Sequence, residues 1–225
     1  MTQPERGIWL DDATHREDLL TFTERALRLD DAAVVRLRER AGGLVVAWVT
    51  TGFDVLASRV VGGRIRPGDL CAGADTLTAE LTAMDRSGYV APGFPMDSAW
   101  RGVLPPENGF VHLDDVPARA VLELAQRGVA LAKEHSSAHG PPASLLDQEV
   151  VAVSSGDTSI GIPMRCVFAL TAMGFLPQSA AAGLDPETVA ADEIVRVRAL
   201  PAWLRIDARF GSVYRRRGDP ALVLR

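Results

Sequence analysis

Arginine carries nearly all of the positive charge in this chain, and its spacing is where chemistry would begin. Of 24 basic residues, only Lys133 is a lysine. Arg36 and Arg38 stand two apart within Ala33–Arg40, and Arg196 and Arg198 stand two apart within Ile194–Arg198. Residues two apart in a strand project to one face. Each pair would therefore present two planar, permanently charged guanidinium groups together, a geometry that can clamp a phosphate or a carboxylate. The same pairs would equally serve as solvated outer faces, or be neutralised by the acidic helices at Glu17–Asp31 and Asp185–Glu193. Arg165 is a different case. It is the only charged residue in the apolar stretch Met164–Phe175, and a buried arginine needs a partner because its desolvation is costly. An acidic residue, an exposed edge or an anionic ligand would each supply one. Arg36, Arg38, Arg165, Arg196 and Arg198 are thus the candidate ligand-binding residues.

For catalysis the candidates are His112, Asp114 and Cys71. His112 followed by Asp114 and Asp115 has the composition of an acid–base group beside its orienting carboxylate, and equally of an acidic helix start with a neighbouring histidine. A cysteine nucleophile requires a nearby base. Cys71, close to Asp69 and to glycine, suits that role better than Cys166, which lies in the apolar stretch. His135 and His139 are four apart, the spacing at which two imidazoles on one helix face can share a metal. No third ligand lies near them, and no metal or cofactor is assigned. The chain holds no GxGxxG, Walker, HExxH, GxSxG or paired CxxC signature.

The elements that must position these groups follow from composition and periodicity. With 225 residues, 47% of them apolar, the chain can build one large core or two smaller ones. Two well-separated cysteines are too few for a disulfide framework. No window approaches a membrane-spanning length of apolar residues, and no signal-peptide core follows Met1. A soluble cytoplasmic protein is expected. The net charge of −5 argues against a general nucleic-acid binder, but it hides a gradient. Ile194–Arg225 carries a net +6 and Ala33–Arg66 a net +4, while the helical segments are comparatively acidic.

Thr14 with Glu17 three residues on forms a capping box, opening a helix with Leu19, Phe22, Ala26 and Leu29 on one side and Asp30-Asp31 at its end. Alternation predicts strands over Ala33–Arg40, Leu44–Thr50 and Phe53–Val61, a three-stranded meander. A short helix follows Asp75, and Ser98–Leu104 reads as a strand. Pro117 opens an amphipathic helix to about Glu134. Val150–Val153 and Thr158–Ile162 flank a glycine turn as a hairpin. Met164–Phe175 reads as a buried helix, and Ile194–Arg198, Trp203–Arg209 and Ser212–Arg217 as a second meander. The predicted fold is α+β: two antiparallel three-stranded meanders and a hairpin, packed with about four helices. Pro105-Pro106 divides the chain into an N-terminal unit, 1–105, and a C-terminal unit, 106–225, or else lies within one continuous domain. Val35-Arg36-Leu37-Arg38 parallels Val195-Arg196-Val197-Arg198 at a separation of 160, which reads first as two independent antiparallel pieces of one α+β domain and second as a weak helix-plus-meander duplication.

The run Trp100-Arg101-Gly102-Val103-Leu104-Pro105-Pro106, the helix start Val116-Pro117-Ala118, Leu145–Val150 and Leu170–Leu176 together resemble a group of actinobacterial proteins of unknown function. That resemblance implies a cytoplasmic origin and assigns no activity. Function is then expected from charge segregation. The leading expectation is a non-enzymatic binding or regulatory protein whose arginine-rich sheet face meets an anionic ligand, a protein or a nucleic-acid surface. Two alternatives stand beside it: a small-molecule enzyme with a dispersed site near Arg165 and His112–Asp115, and a self-assembling structural protein. A homo-oligomer is compatible with each, and a membrane partner with none.

Overall fold

A computed structural model describes residues 6–135, 141–156, 158–177 and 185–218. The chain divides into two compact units, Met1–Gly52 with Leu56–Val103, and Phe53–Val55 with Leu104–Arg225. The fold is α+β, with antiparallel strand pairing in both units and five α-helices among the described residues.

In the first unit, β1 (Gly7–Leu10) leads into α1 (Ala13–Leu29), followed by β2 (Val34–Arg40), β3 (Leu44–Thr51), β4 (Val55–Arg66), β5 (Asp69–Gly73), α2 (Ala74–Ala83) and β6 (Tyr89–Val90). The strands lie in the order β5-β2-β3-β4, with β1 on the far end of β4 and β6 on β1. Strict alternation dictates β2: Val35 and Leu37 are wholly buried, while Arg36 and Arg38 point outward. Helices α1 and α2 pack together through Leu19, Phe22 and Ala26 on one and Leu77 and Leu81 on the other. The hydroxyls of Thr23 and Thr78 lie 2.8 Å apart between them.

In the second unit, β7 (Val111–Pro117) precedes α3 (Ala118–His135), α4 (Ala143–Leu146), β8 (Glu149–Ser155), β9 (Thr158–Pro163) and α5 (Met164–Ala172). The unit closes with β10 (Ile194–Leu200), β11 (Trp203–Ala208) and β12 (Gly211–Arg216). Its sheet runs β7-β10-β11-β12, and β8 with β9 forms a separate two-stranded sheet. Every residue of α5 from Met164 to Thr171 is buried, Arg165 included. This helix is the centre of the unit's core, as its apolar composition requires.

Four local expectations are corrected. The N-cap of α1 is Asp12, whose carboxylate accepts from the His15 N–H at 3.0 Å, rather than Thr14. Asp is as good a cap as Thr, and here it sits two residues earlier. Ser98–Leu104 is no strand: Asp97–Ala99 is a single 3-10 turn, and the Trp100 indole folds back to donate to the Gly102 carbonyl. His112–Asp115 lies within β7 rather than at a helix start, because Val111–Pro117 finds a partner in β10. Strand β5 was not foreseen at all. Its small residues carry little β-propensity, and pairing with β2 makes it a strand.

Gly63 shows how tightly β1 and β4 meet. Its φ is +151°, and a Cβ there would stand 2.4 Å from the Trp9 carbonyl oxygen. Backbone cannot yield as a side-chain tip can. Gly63→Ala is therefore predicted to cost about 2–3 kcal/mol of stability, measured as a lower urea midpoint with unchanged slope.

Candidate functional site

The arginines that the sequence offers as a ligand clamp are paired within the fold. Arg36 meets Asp69 of the neighbouring strand through two bonds, Nε to Oδ1 at 2.8 Å and Nη2 to Oδ2 at 2.7 Å. Arg38 reaches the same carboxylate at 3.3 Å. In the other unit, Arg196 pairs with Asp115 of β7 at 3.3 Å, and Arg198 with Asp207 of β11 at 3.4 Å. Arg205 holds Asp207 from its own strand at 2.6 Å and lies over the rings of Phe110 and Tyr214. The Arg36 guanidinium is raised above its ordinary value, chiefly by its hydrogen bond to Asp69. Neutralisation does occur, but mostly by aspartates on adjacent strands. Acidic segments contribute through Asp18, which pairs with Arg59, and Glu193, which pairs with Arg209.

Arg165 is buried, with 9% of its surface exposed. Its Nε donates to Asp147 Oδ1 at 3.1 Å, its Nη2 contacts the same oxygen, and its Nη1 donates to the Phe53 carbonyl at 2.7 Å. Asp54 and Arg215 stand at the edge of this cluster, the first 3.8 Å from Arg165 and the second 3.6 Å from Asp147. The guanidinium is thus consumed by the fold. It ties α5 to the residue that ends α4 and to the turn at Phe53–Asp54.

His112 Nε2 lies 3.0 Å from Asp115 Oδ1, and both side chains are open to solvent. That contact, then the Arg196 guanidinium, holds the Asp115 carboxyl below its usual range. Asp114 accepts from the Asp115 N–H at 2.8 Å. His112 and Arg165 are therefore separately paired, which removes the dispersed enzyme site built on them. Both cysteines are buried: burial pushes the Cys71 thiol up to about 11 and the Cys166 thiol up to about 12. A thiol held protonated is a poor nucleophile, so Cys71 is a core residue of β5. His139 lies outside the described residues and nothing is described of the His135 side chain, so the proposed pair does not enter the site. Among the described residues no cluster of three metal-ligating side chains occurs.

One cleft in the first unit escaped the sequence reading. It encloses about 480 Å³ and is lined by Asp11, Asp12, Arg16, Met84, Asp85 and Arg86, among others. Its carboxylates serve local structure. Asp12 caps α1, and the Ser87 hydroxyl and N–H hold the Asp85 carboxyl below its usual range. The lining comes from the start of α1 and the turn after α2, elements that the sequence places 70 residues apart, so no local motif signals it. None of the described helices is long and apolar enough to cross a membrane.

Two expected outcomes test this assignment. In the native protein neither thiol should react with iodoacetamide at about pH 8, and both should react in denaturant, as mass spectrometry would read. Asp147→Ala should destabilise the protein by about 2–3 kcal/mol, short of a fully buried pair because Asp147 is half exposed. Arg165→Met should cost less than Asp147→Ala, because it leaves no buried charge behind. Equal losses in thermal denaturation would show that packing, not charge, dominates there.

The fold matches solved structures over nearly its whole length. The DNA polymerase sliding clamp from Caulobacter crescentus aligns with a TM-score of 0.53 at 12% identity, covering 93% of this chain and 67% of the clamp. The sliding clamp from Bacillus subtilis gives 0.56 at 10% identity, covering 98% and 68%. A putative DNA polymerase III beta subunit from Eubacterium rectale gives 0.58 at 8% identity, covering 95% and 66%. The chain spans about two thirds of the length of these clamps, and at such identities the likeness is one of fold. That likeness, with the internal pairing above, overturns the expectation of an arginine-rich sheet face offered to an anionic partner. No curated protein matches. Residues 3–102 match a domain of unknown function (DUF8010), and, through residues 105–220, the chain belongs to the family described as a domain of unknown function (DUF8185).

Proposed function

We propose that this chain is a clamp-type adaptor of the cytoplasm, which works at DNA by docking other proteins. The likeness to sliding clamps across both units is the observation that carries this reading. Fold alone does not assign function, but the side chains support the same direction. The groups best suited to chemistry are engaged in holding strands and helices together.

Direct grip on a duplex is the less favoured form of clamp behaviour. Phosphate binding needs an excess of cations on the contacting surface. Helices α1, α2 and α3 together carry six basic residues against seven acidic ones. Arg36, Arg38, Arg196, Arg198 and Arg205 are already matched to aspartates. Partner proteins are therefore the contacts that bring the chain to DNA.

The same reading includes a two-unit organisation divided near Pro105 and a duplicated helix-plus-meander. The orders β1-α1-β2-β3-β4 and β9-α5-β10-β11-β12 support the second. So does the placing of Asp69, on the strand outside the first meander, beside Arg36, and of Asp115, on the strand outside the second, beside Arg196.

In formaldehyde-treated cells, immunoprecipitation of the tagged chain should recover chromosomal DNA. The purified chain should leave duplex DNA unshifted between about 50 and 200 mM salt. Failure to recover DNA would overturn the adaptor reading. Direct duplex binding that weakens steeply with salt would replace it with a DNA-gripping one.

A further inference from the structure

The first unit exposes an aromatic side chain that its own fold leaves without cover. Phe94 is 89% exposed, whereas the other exposed large apolar residues are aliphatic or, in Phe210, only 39% exposed. A phenylalanine offers roughly 150–250 Å² of apolar surface. It is a frequent component of protein interfaces.

The segment that carries Phe94 is anchored on both sides. Before it, Val90 is buried in the β1–β6 pair and Pro92 is buried. Gly93 adopts φ +67° and packs so closely on α2 that a Cβ would stand 2.6 Å from the Thr76 methyl. After it, the Met96 N–H donates to the Cys71 carbonyl of β5 at 3.1 Å, and the 3-10 turn Asp97–Ala99 follows. Pro95 restricts the backbone directly after the ring. Gly93-Phe94-Pro95 is therefore a presented tip. Little conformational freedom is left to lose on binding.

The surroundings choose the partner. From residue 67 to 101 the chain carries Asp69, Asp75, Glu80, Asp85 and Asp97 against Arg86 and Arg101, and Arg6 donates to the Cys71 carbonyl behind the tip. Asp69 is occupied by Arg36 and Arg38. Asp75 and Asp97 flank the tip through its two anchors: Asp75 adjoins Thr76, and Asp97 adjoins Met96. Both are exposed; Asp75 has no ion-pair partner among the described residues, and Asp97 lies within the field of the Arg36 guanidinium without a direct contact. We infer that Phe94 is the anchor of a docking surface for a partner protein, inserting into an apolar pocket rimmed by basic side chains. Charge complementarity excludes nucleic acid here, since phosphates and these carboxylates repel. The inference rests on the adaptor reading and names the chemistry of what the adaptor docks.

Photo-crosslinking tests it in living cells, with p-benzoylphenylalanine at position 94 and, as control, at position 111, where Val111 is 64% exposed in the other unit. The expected result is a discrete adduct with another protein from position 94 alone. That protein, purified, should bind the wild-type chain, and Phe94→Ala should weaken binding by about tenfold or more. Asp75→Lys with Asp97→Lys should also weaken it and flatten its salt dependence. Unchanged thermal melting would show that both variants fold. Adducts of equal yield from both positions, adducts only with nucleic acid or a second copy of this chain, or binding indifferent to Phe94→Ala would each overturn the inference. Recovery of chromosomal DNA separates the two levels. If the wild-type chain recovers DNA and Phe94→Ala recovers as much, the docking surface is wrong and the adaptor reading stands. If the wild-type chain recovers none, the adaptor reading has failed on its own.

Discussion

A guanidinium on a half-buried strand must find a carboxylate within one strand spacing, and that constraint organises both units of this protein. Neighbouring strands lie about 4.8 Å apart, so an aspartate on the next strand reaches the group without long side chains being immobilised. Asp69 does this for Arg36 and Arg38, Asp115 for Arg196, and Asp207 for Arg198. Each pair sits at a strand junction and favours one register, since a slip by one residue would turn the arginines toward the core. The pairs are partly exposed and individually worth little. Their collective effect is on which strands lie beside which.

The same bookkeeping of charge accounts for Arg165. A cation in a helix whose remaining residues are buried hydrophobes is tolerated because Asp147 and the Phe53 carbonyl satisfy it. The helix can then be the core of its unit while its first turn remains polar. Desolvation that would otherwise exclude the arginine becomes a reason for α4, α5 and the Phe53–Asp54 turn to keep their places.

Once the arginines are matched internally, the charge that remains available to partners is mainly negative. This reverses the functional sense of the sequence. A chain that appears to offer cations instead presents helices of balanced charge, and an exposed phenylalanine in an acidic stretch of the first unit. On the adaptor reading proposed above, that surface is better matched to proteins than to phosphate. The fold supplies the platform, and the distribution of uncompensated charge decides what the platform meets.

How much of this was legible in the sequence depended on the range of the interaction responsible. Helix α1, the alternating strand β2, the hairpin β8–β9 and the buried helix α5 were readable because periodicity and capping act within a few residues. Strand β5 was not, since its small residues become a strand only by pairing with β2; β7 likewise needed β10. The arginine pairs are legible as pairs, and so is their possible neutralisation, but Asp69, Asp115 and Asp207 as the partners are not. Arg36 and Asp69 are 33 residues apart, and Arg196 and Asp115 are 81 apart. Phe94 gave no signal either, because a phenylalanine between glycine and proline reads the same whether the loop folds inward or outward. By itself the sequence determined the elements whose signals are local, α1, β2, β8–β9 and α5 among them, and that cations gather in the strands. Only the tertiary structure decided what those cations touch, because a charge is satisfied by its neighbours in space, and strand pairing chooses them from distant parts of the chain.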